Sequence, residues 1–287
     1  VRAKGLAALV ALTAVWGTTF PAIKVVVSEV GFAYYVALRY VLATLILLPL
    51  ALARRDQLRE NLRWGALLGA LYFGGITLQG WGMEYTTASN AAFVTGLSVV
   101  IVFALEVALG REEPSARLAG AIALALAGLY LMSFSGGAYR AMLGDLIVLA
   151  GSFFWALQII AVDRAARGDL YSLLFLESLF TALGASLALP ATRSPTIAEV
   201  AAALPPLAYL ATVCTIGANA LQLYGQRHVP SVEAALIYLL EPVFAAAFSH
   251  VALGEGMGLA QAVGAALILA SMAVSSLRSL AAEKPLG

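Results

Sequence analysis

Within its long apolar runs the sequence carries a few side chains able to hold a polar solute, and their spacing is helical. Tyr72 and Gln79 are seven residues apart, and Asn219, Gln222 and Gln226 follow at intervals of three and four, so each set shares one helix face. Polar groups in such runs face a bundle interior or a wet cavity, because hydrocarbon offers them no partner. The amides of Gln79, Gln158, Asn219 and Gln222 would hydrogen-bond the charged ends of a zwitterion, or would only bridge neighbouring helices. Spacing allows both. Trp16, Trp81, Tyr85, Trp155, Tyr224 and Tyr238 offer rings that can stack on an apolar or cationic solute, although aromatic residues also anchor helices at the membrane surface. Trp16 and Trp155 lie too deep in their runs for a surface belt. Glu241 is the ionisable residue nearest the middle of its run, and Pro242 follows it, freeing the carbonyl of Tyr238 and marking a bend. That carboxyl group would carry a proton or anchor an amine; alternatively it only secures the bend. Pro21, after Gly17, Thr18 and Thr19, predicts a second bend that serves as part of a gate. Arg39 is read as structural, paired with a carboxylate or with helix-end carbonyls.

These side chains need membrane helices to position them. The 287 residues are 62% hydrophobic and 11% charged, with a mean hydropathy of +0.91, against about 25% charged for a soluble domain. A net charge of +1 spread over short connectors excludes a nucleic-acid surface. The single cysteine, Cys214, sits in an apolar run and is read as a packing residue. The N-terminal stretch begins with Arg2 and Lys4 but continues into Trp16 and Pro21 without a cleavage site, so it is read as a first span.

A hydrocarbon core needs roughly 20 apolar residues per helix, and the chain divides into ten such runs: 5–28, 31–53, 63–84, 89–110, 116–134, 143–163, 170–189, 206–226, 231–253 and 258–278. The expected fold class is an all-α integral membrane protein. If the N-terminus is cytoplasmic, Arg54, Arg55, Arg59, Arg63, Arg111, Arg117, Arg164, Arg167, Arg227 and Arg278 all fall inside. Arg140 and Arg193 fall outside, with Lys24 near the outer end of the first helix. Both termini are therefore expected in the cytoplasm.

The chain also repeats itself. Leu78 to Phe93 returns as Leu221 to Leu236, pairing Gln79 with Gln222, Trp81 with Tyr224 and Gly82 with Gly225. Two halves, 1–137 and 138–287, each hold five spans; an odd number makes the second half enter the membrane from the opposite side. Inverted repeats of this kind place a substrate near the midplane and alternate access by rocking one half against the other. Small residues such as Gly65 with Gly69, and Gly120 with Ala123 and Ala127, predict close helix packing.

Other classes find little support. His228 and His250 fall near opposite ends of their helices, no catalytic or metal-ligand spacing occurs, and no phosphate-binding loop provides for ATP. No enzyme activity, cofactor or metal is expected. There is no channel-filter segment either.

The stretches AVWGTTFPAIK (Ala14 to Lys24), ALRYVLA (Ala37 to Ala43), EAALIYLLEPVFAAAFSHVALGE (Glu233 to Glu255) and QAVGAALILA (Gln261 to Ala270) resemble the EamA-type transporters of the drug/metabolite transporter superfamily. The resemblance covers nearly the whole chain. It implies a ten-helix basket around a central cavity, lined mainly by helices 3, 4, 8 and 9 with help from 1 and 6. It also implies export of small metabolites, often amino acids, across a bacterial inner membrane; the chain is similar to exporters of amino acids, including aromatic ones. The first half departs from the second, reading ALGREE from Ala108 and lacking the Glu-Pro pair. The expected partners are a small-molecule substrate and the bilayer, with the chain acting as a monomer or weak dimer. A nucleotide-sugar or cationic-drug carrier of the same superfamily is the nearest alternative.

Overall fold

In a computed structural model, residues 2–110, 113–134, 139–229, 234, 237, 238 and 240–282 are described, and among them every regular element is helical. The first, α1 (Arg2–Leu52), is a continuous helical stretch of 51 residues, at 1.5 Å per residue more than twice the thickness of a hydrocarbon core. Gly31 resolves the mismatch. Its φ of 75° and ψ of 162° are not helical, a conformation open to glycine because it lacks Cβ, and it divides α1 into two arms near the predicted boundary. Pro21 lies within the first arm and is buried, but Gly31 is the one residue inside α1 with non-helical dihedrals. The turn between the first two predicted spans thus falls at Gly31, where backbone freedom rather than a missing N–H turns the chain.

The next helix, α2 (Arg55–Gly82), is followed by α3 (Ala88–Gly96) and α4 (Ser98–Ala108), which divide the predicted fourth span at Leu97. Then come α5 (Ala116–Phe134), α6 (Tyr139–Ala165) and α7 (Leu170–Ala188), close to their predicted bounds. The predicted start at 206 is corrected: α8 (Ile197–Ala211) begins earlier, because Thr196 and Glu199 form a reciprocal capping box that satisfies the first backbone donors. Arg193 and the Thr196 backbone N–H both donate to the Glu199 carboxylate. The helix runs on through Pro205 and Pro206 into a π-helical turn, Thr212–Gly217, and then α9 (Ala218–Gln226). The last two are α10 (Leu240–Leu253) and α11 (Leu259–Ala282). The start of the predicted ninth span, with Glu233 and most of the inner hairpin, lies outside the described residues, as does the predicted boundary between the halves at 137 and 138.

Five stretches among the described residues are long and apolar enough to cross a membrane: Arg2–Leu52, Ala88–Leu105, Arg140–Val162, Leu170–Ala188 and Ile197–Gln226. The distribution of side chains suits lipid. Leu187, Val251 and Leu259 are each 84% exposed, whereas Arg39, Glu177, Gln79, Gln158, Asn219 and Gln222 are buried. Polar groups inside and apolar groups outside is the arrangement a hydrocarbon solvent favours.

Glycines set the closest approaches. A Cβ on Gly82 would lie 2.6 Å from both the Gly144 carbonyl oxygen and Val148 Cγ2, so α2 and α6 meet backbone to backbone. Gly69 similarly faces the Glu177 carbonyl of α7 at 2.9 Å. The expectation for Gly120 is not met: among the described residues nothing lies within 4 Å of a Cβ there, and Gly128, against Gly264 and Ile268, makes a close contact of α5 with α11 instead. Gly82→Ala is expected to cost about 1–3 kcal/mol, read as a lower thermal unfolding temperature in detergent; an unchanged temperature would mean that the two helices separate freely.

Polar contacts gather at the two ends of the helices. At one end Arg54 pairs with Asp169 at 2.8 Å, and Arg227 donates to the carbonyls of Ala166 and Gly168. At the other, Lys24 donates to the carbonyls of Met83 and Thr86, and the Thr86 hydroxyl donates to Asp145 at 2.5 Å. There Glu255 accepts from the backbone N–H groups of Ala88 and Ser89 and from the Ser89 hydroxyl, capping the start of α3. Asn90 lies in the first turn of that helix, whose cap is Thr87, in keeping with helix-start chemistry.

Candidate functional site

A cavity lies among both arms of α1, α2, α3, α4 and α6, together with Tyr238 and Glu241. The first arm contributes Trp16, Thr19 and Phe20, and the second contributes Arg39. From α2 come Tyr72, Ile76 and Gln79, one face at intervals of three and four. Thr95, Gly96, Ser98 and Val99 line it where α3 gives way to α4. The remaining wall is Trp155, Gln158 and Ile159 of α6 with Tyr238 and Glu241.

Aromatic rings form two groups in this lining. Trp16 and Tyr238 lie 5.5 Å apart between centroids. Trp155 meets Tyr72 edge to face at 4.7 Å, and Tyr72 meets Tyr40 likewise at 5.7 Å, geometries that the ring quadrupoles favour. Gly75 makes room for the Trp155 indole: a Cβ there would lie 2.8 Å from Cε2. The indole N–H is buried without a hydrogen-bond partner, and the Tyr238 hydroxyl lies near Gln222 without closing a hydrogen bond.

The predicted amides separate by role. Gln79 lines the cavity and donates to Thr95 Oγ1 at 3.1 Å. Gln158, also on the wall, exchanges hydrogen bonds with Gln222 at 3.3 and 3.4 Å, so Gln222 is committed to bridging α6 and α9 and does not line the space. Asn219 is a relay behind the wall, accepting from Tyr72 Oη at 3.0 Å and donating to Glu177 Oε1 at 2.5 Å. The symmetry pairing of Gln79 with Gln222 thus leads to unequal positions.

Trp81, Tyr85 and Tyr224 do not line the cavity. Trp81 is 39% exposed and stacks on Phe32; Tyr224 is 37% exposed beside His228. Each sits within two turns of a lining or bridging amide but points to another side of its helix, which a mere count of aromatic residues overlooks. Pro21 and Pro242 are buried outside the lining. Pro242 lies in helical backbone within α10. The Glu241 carboxyl group, one residue before it, has no hydrogen-bond partner among the described residues.

Reading polar residues by type alone missed the hydroxyls of Thr19, Thr95 and Ser98, and placed Arg39 in the structure rather than the cavity wall. Arg39 is 1% exposed and donates from Nε to Thr215 Oγ1 at 2.7 Å, from Nη1 to Tyr35 Oη at 2.6 Å and from Nη2 to the Cys214 carbonyl at 3.2 Å. Both Thr215 and Cys214 belong to the π-helical turn, and such turns recur at functional sites. Of the two alternatives expected for it, a carboxylate or helix-end carbonyls, it meets a helix carbonyl, and no carboxylate pairs with it among the described residues. The guanidinium instead lies 5.4 Å from the ring centre of Tyr40.

A family model described as the EamA-like transporter family matches residues 3–134 and again residues 142–277. Two proteins of Archaeoglobus fulgidus, each described as an uncharacterized transporter, align along most of the chain. One is 30% identical over 274 residues, covering 94% of this chain and 84% of the relative; the other is 27% identical over 290 positions, covering 92% and 94%. A solved structure described as "Crystal structure of protein" shares the fold with a TM-score of 0.64 at 21% identity, covering 96% of this chain and 98% of that one.

Proposed function

Since the chain belongs to the EamA-like transporter family, we propose that it exports small metabolites, with neutral or aromatic amino acids as the leading class, by alternating access around this cavity. One observation carries the substrate class: among the described residues the lining contains one base, Arg39, and one acid, Glu241, among amides, hydroxyls and aromatic rings. A zwitterion with an apolar side chain matches such a wall in both charge and surface. A nucleotide sugar would call for several bases around its phosphates.

The proposed topology is ten spans in two inverted halves, with both termini in the cytoplasm of a bacterial cell and the protein in its inner membrane. The break of α1 at Gly31 and the two successive family matches support it. So does the grouping of polar contacts, because Arg54, Asp169 and Arg227 fall on the predicted inner side while Lys24, Thr86, Asp145 and Glu255 fall on the outer side.

The test is uptake of labelled amino acids into proteoliposomes, with and without a pH gradient. Saturable uptake of one class is expected, lowered about 5- to 20-fold in Gln79→Ala, which removes one hydrogen-bonding amide from the wall. Absence of uptake for every amino acid by folded protein would overturn the substrate assignment.

A further inference from the structure

A guanidinium has five N–H donors and no acceptor. Arg39 spends three of them on Thr215, Tyr35 and Cys214, leaving two in a buried group that borders the cavity. The three acceptors are neutral, and no carboxylate pairs with it among the described residues. Burying a charge in this way is costly unless something compensates for it. The three bonds and the Tyr40 ring fix the position of the cation without neutralising it. Trp155 adds a second donor to the same lining, its indole N–H being buried and unpartnered. It is connected to Arg39 through the ring contacts of Tyr72 and Tyr40. Unpaired donors therefore border one part of the lining, while Glu241, an acceptor without a hydrogen-bond partner among the described residues, lies three residues beyond Tyr238.

We infer that Arg39, assisted by the Trp155 indole N–H, forms the subsite that receives the carboxylate of the transported solute. The cavity thus selects a carboxylate end before it selects an amine. This assignment rests on the reading of the cavity as the transport site. Planar guanidinium and planar carboxylate are matched in shape as well as charge, and the neutral acceptors around Arg39 leave its positive charge available to the solute.

The experiment is calorimetric binding to the purified full chain with three probes: phenylalanine, phenylalaninamide, which lacks the carboxylate, and phenylpropionate, which lacks the amine. On the unmodified protein both carboxylates are expected to bind at least about tenfold more tightly than the amide. Arg39→Gln is expected to weaken the two carboxylates by about 10- to 100-fold and to leave the amide unchanged, and Trp155→Phe to weaken the carboxylates by about 3- to 10-fold. If Arg39→Gln fails to fold, the probe order on the unmodified protein and the Trp155→Phe result decide the matter. An amide that binds as tightly as phenylalanine would overturn the inference and leave amino-acid transport to rest on amine recognition. Binding of phenylpropionate alone would support the carboxylate subsite and overturn the amino-acid reading. No binding by any of the three would overturn both.

Discussion

Glu241→Gln is expected to lower saturable uptake by at least about tenfold while leaving the thermal unfolding temperature unchanged or raised. The two effects separate because the carboxyl group borders the cavity yet has no hydrogen-bond partner among the described residues. Replacing it with an amide of the same shape breaks no hydrogen bond among the described residues, and it removes the acid that lines the cavity. A residue kept at a cost to stability is the pattern expected of a functional group. If Glu241 instead only secures the chain at Pro242, the substitution will lower the unfolding temperature and transport will fall only with the amount of folded protein. Uptake with an imposed pH gradient distinguishes its two functional roles. Loss of gradient stimulation with unchanged substrate affinity indicates proton coupling, and a raised KM indicates an anchor for the substrate amine.

Asn219→Leu is expected to destabilise the fold by about 2–5 kcal/mol, because it removes two hydrogen bonds at once. The buried Glu177 carboxyl group loses its donor and Tyr72 Oη loses its acceptor, and a buried polar group left unpaired costs about 1–3 kcal/mol. The relay links α2, α7 and α9, and Tyr72 also supports Trp155, so the cavity wall should loosen as well. Thermal unfolding would measure the first effect. A binding loss larger than that from Gln222→Leu would report the second, since Gln222 bridges to Gln158 and not to Tyr72. Equal unfolding temperatures for Asn219→Leu and the unmodified protein would show that Glu177 and Tyr72 find other partners.

Helical membrane character was legible in the sequence because hydropathy is additive along the chain: a run of apolar residues long enough to span needs no partner to be identified. The bounds of α5 and α7 followed from this; membership of the EamA-like transporter family was legible separately, from the resemblance of motifs such as LLEPVF. Helical spacing also identified Tyr72 with Gln79 as cavity residues and Trp16 with Trp155 as deep rings. Side-chain direction, in contrast, depends on neighbours remote in sequence. Gln79 and Gln222 occupy matching positions of a repeat, yet one faces open space and the other is held by Gln158, because different helices stand opposite them. Trp81 and Tyr224 lie on polar-bearing helices but turn away from the cavity. The run lengths placed the first boundary near residue 30, and the dihedral freedom of Gly31 is what turns the chain there. Arg39 shows the division most clearly. Its place in an apolar run announced a costly buried charge, but the identity of its partners, two of them 175 and 176 residues away in a π-helical turn, was decided only when the helices packed. With neutral acceptors around it, the charge remained available to a ligand.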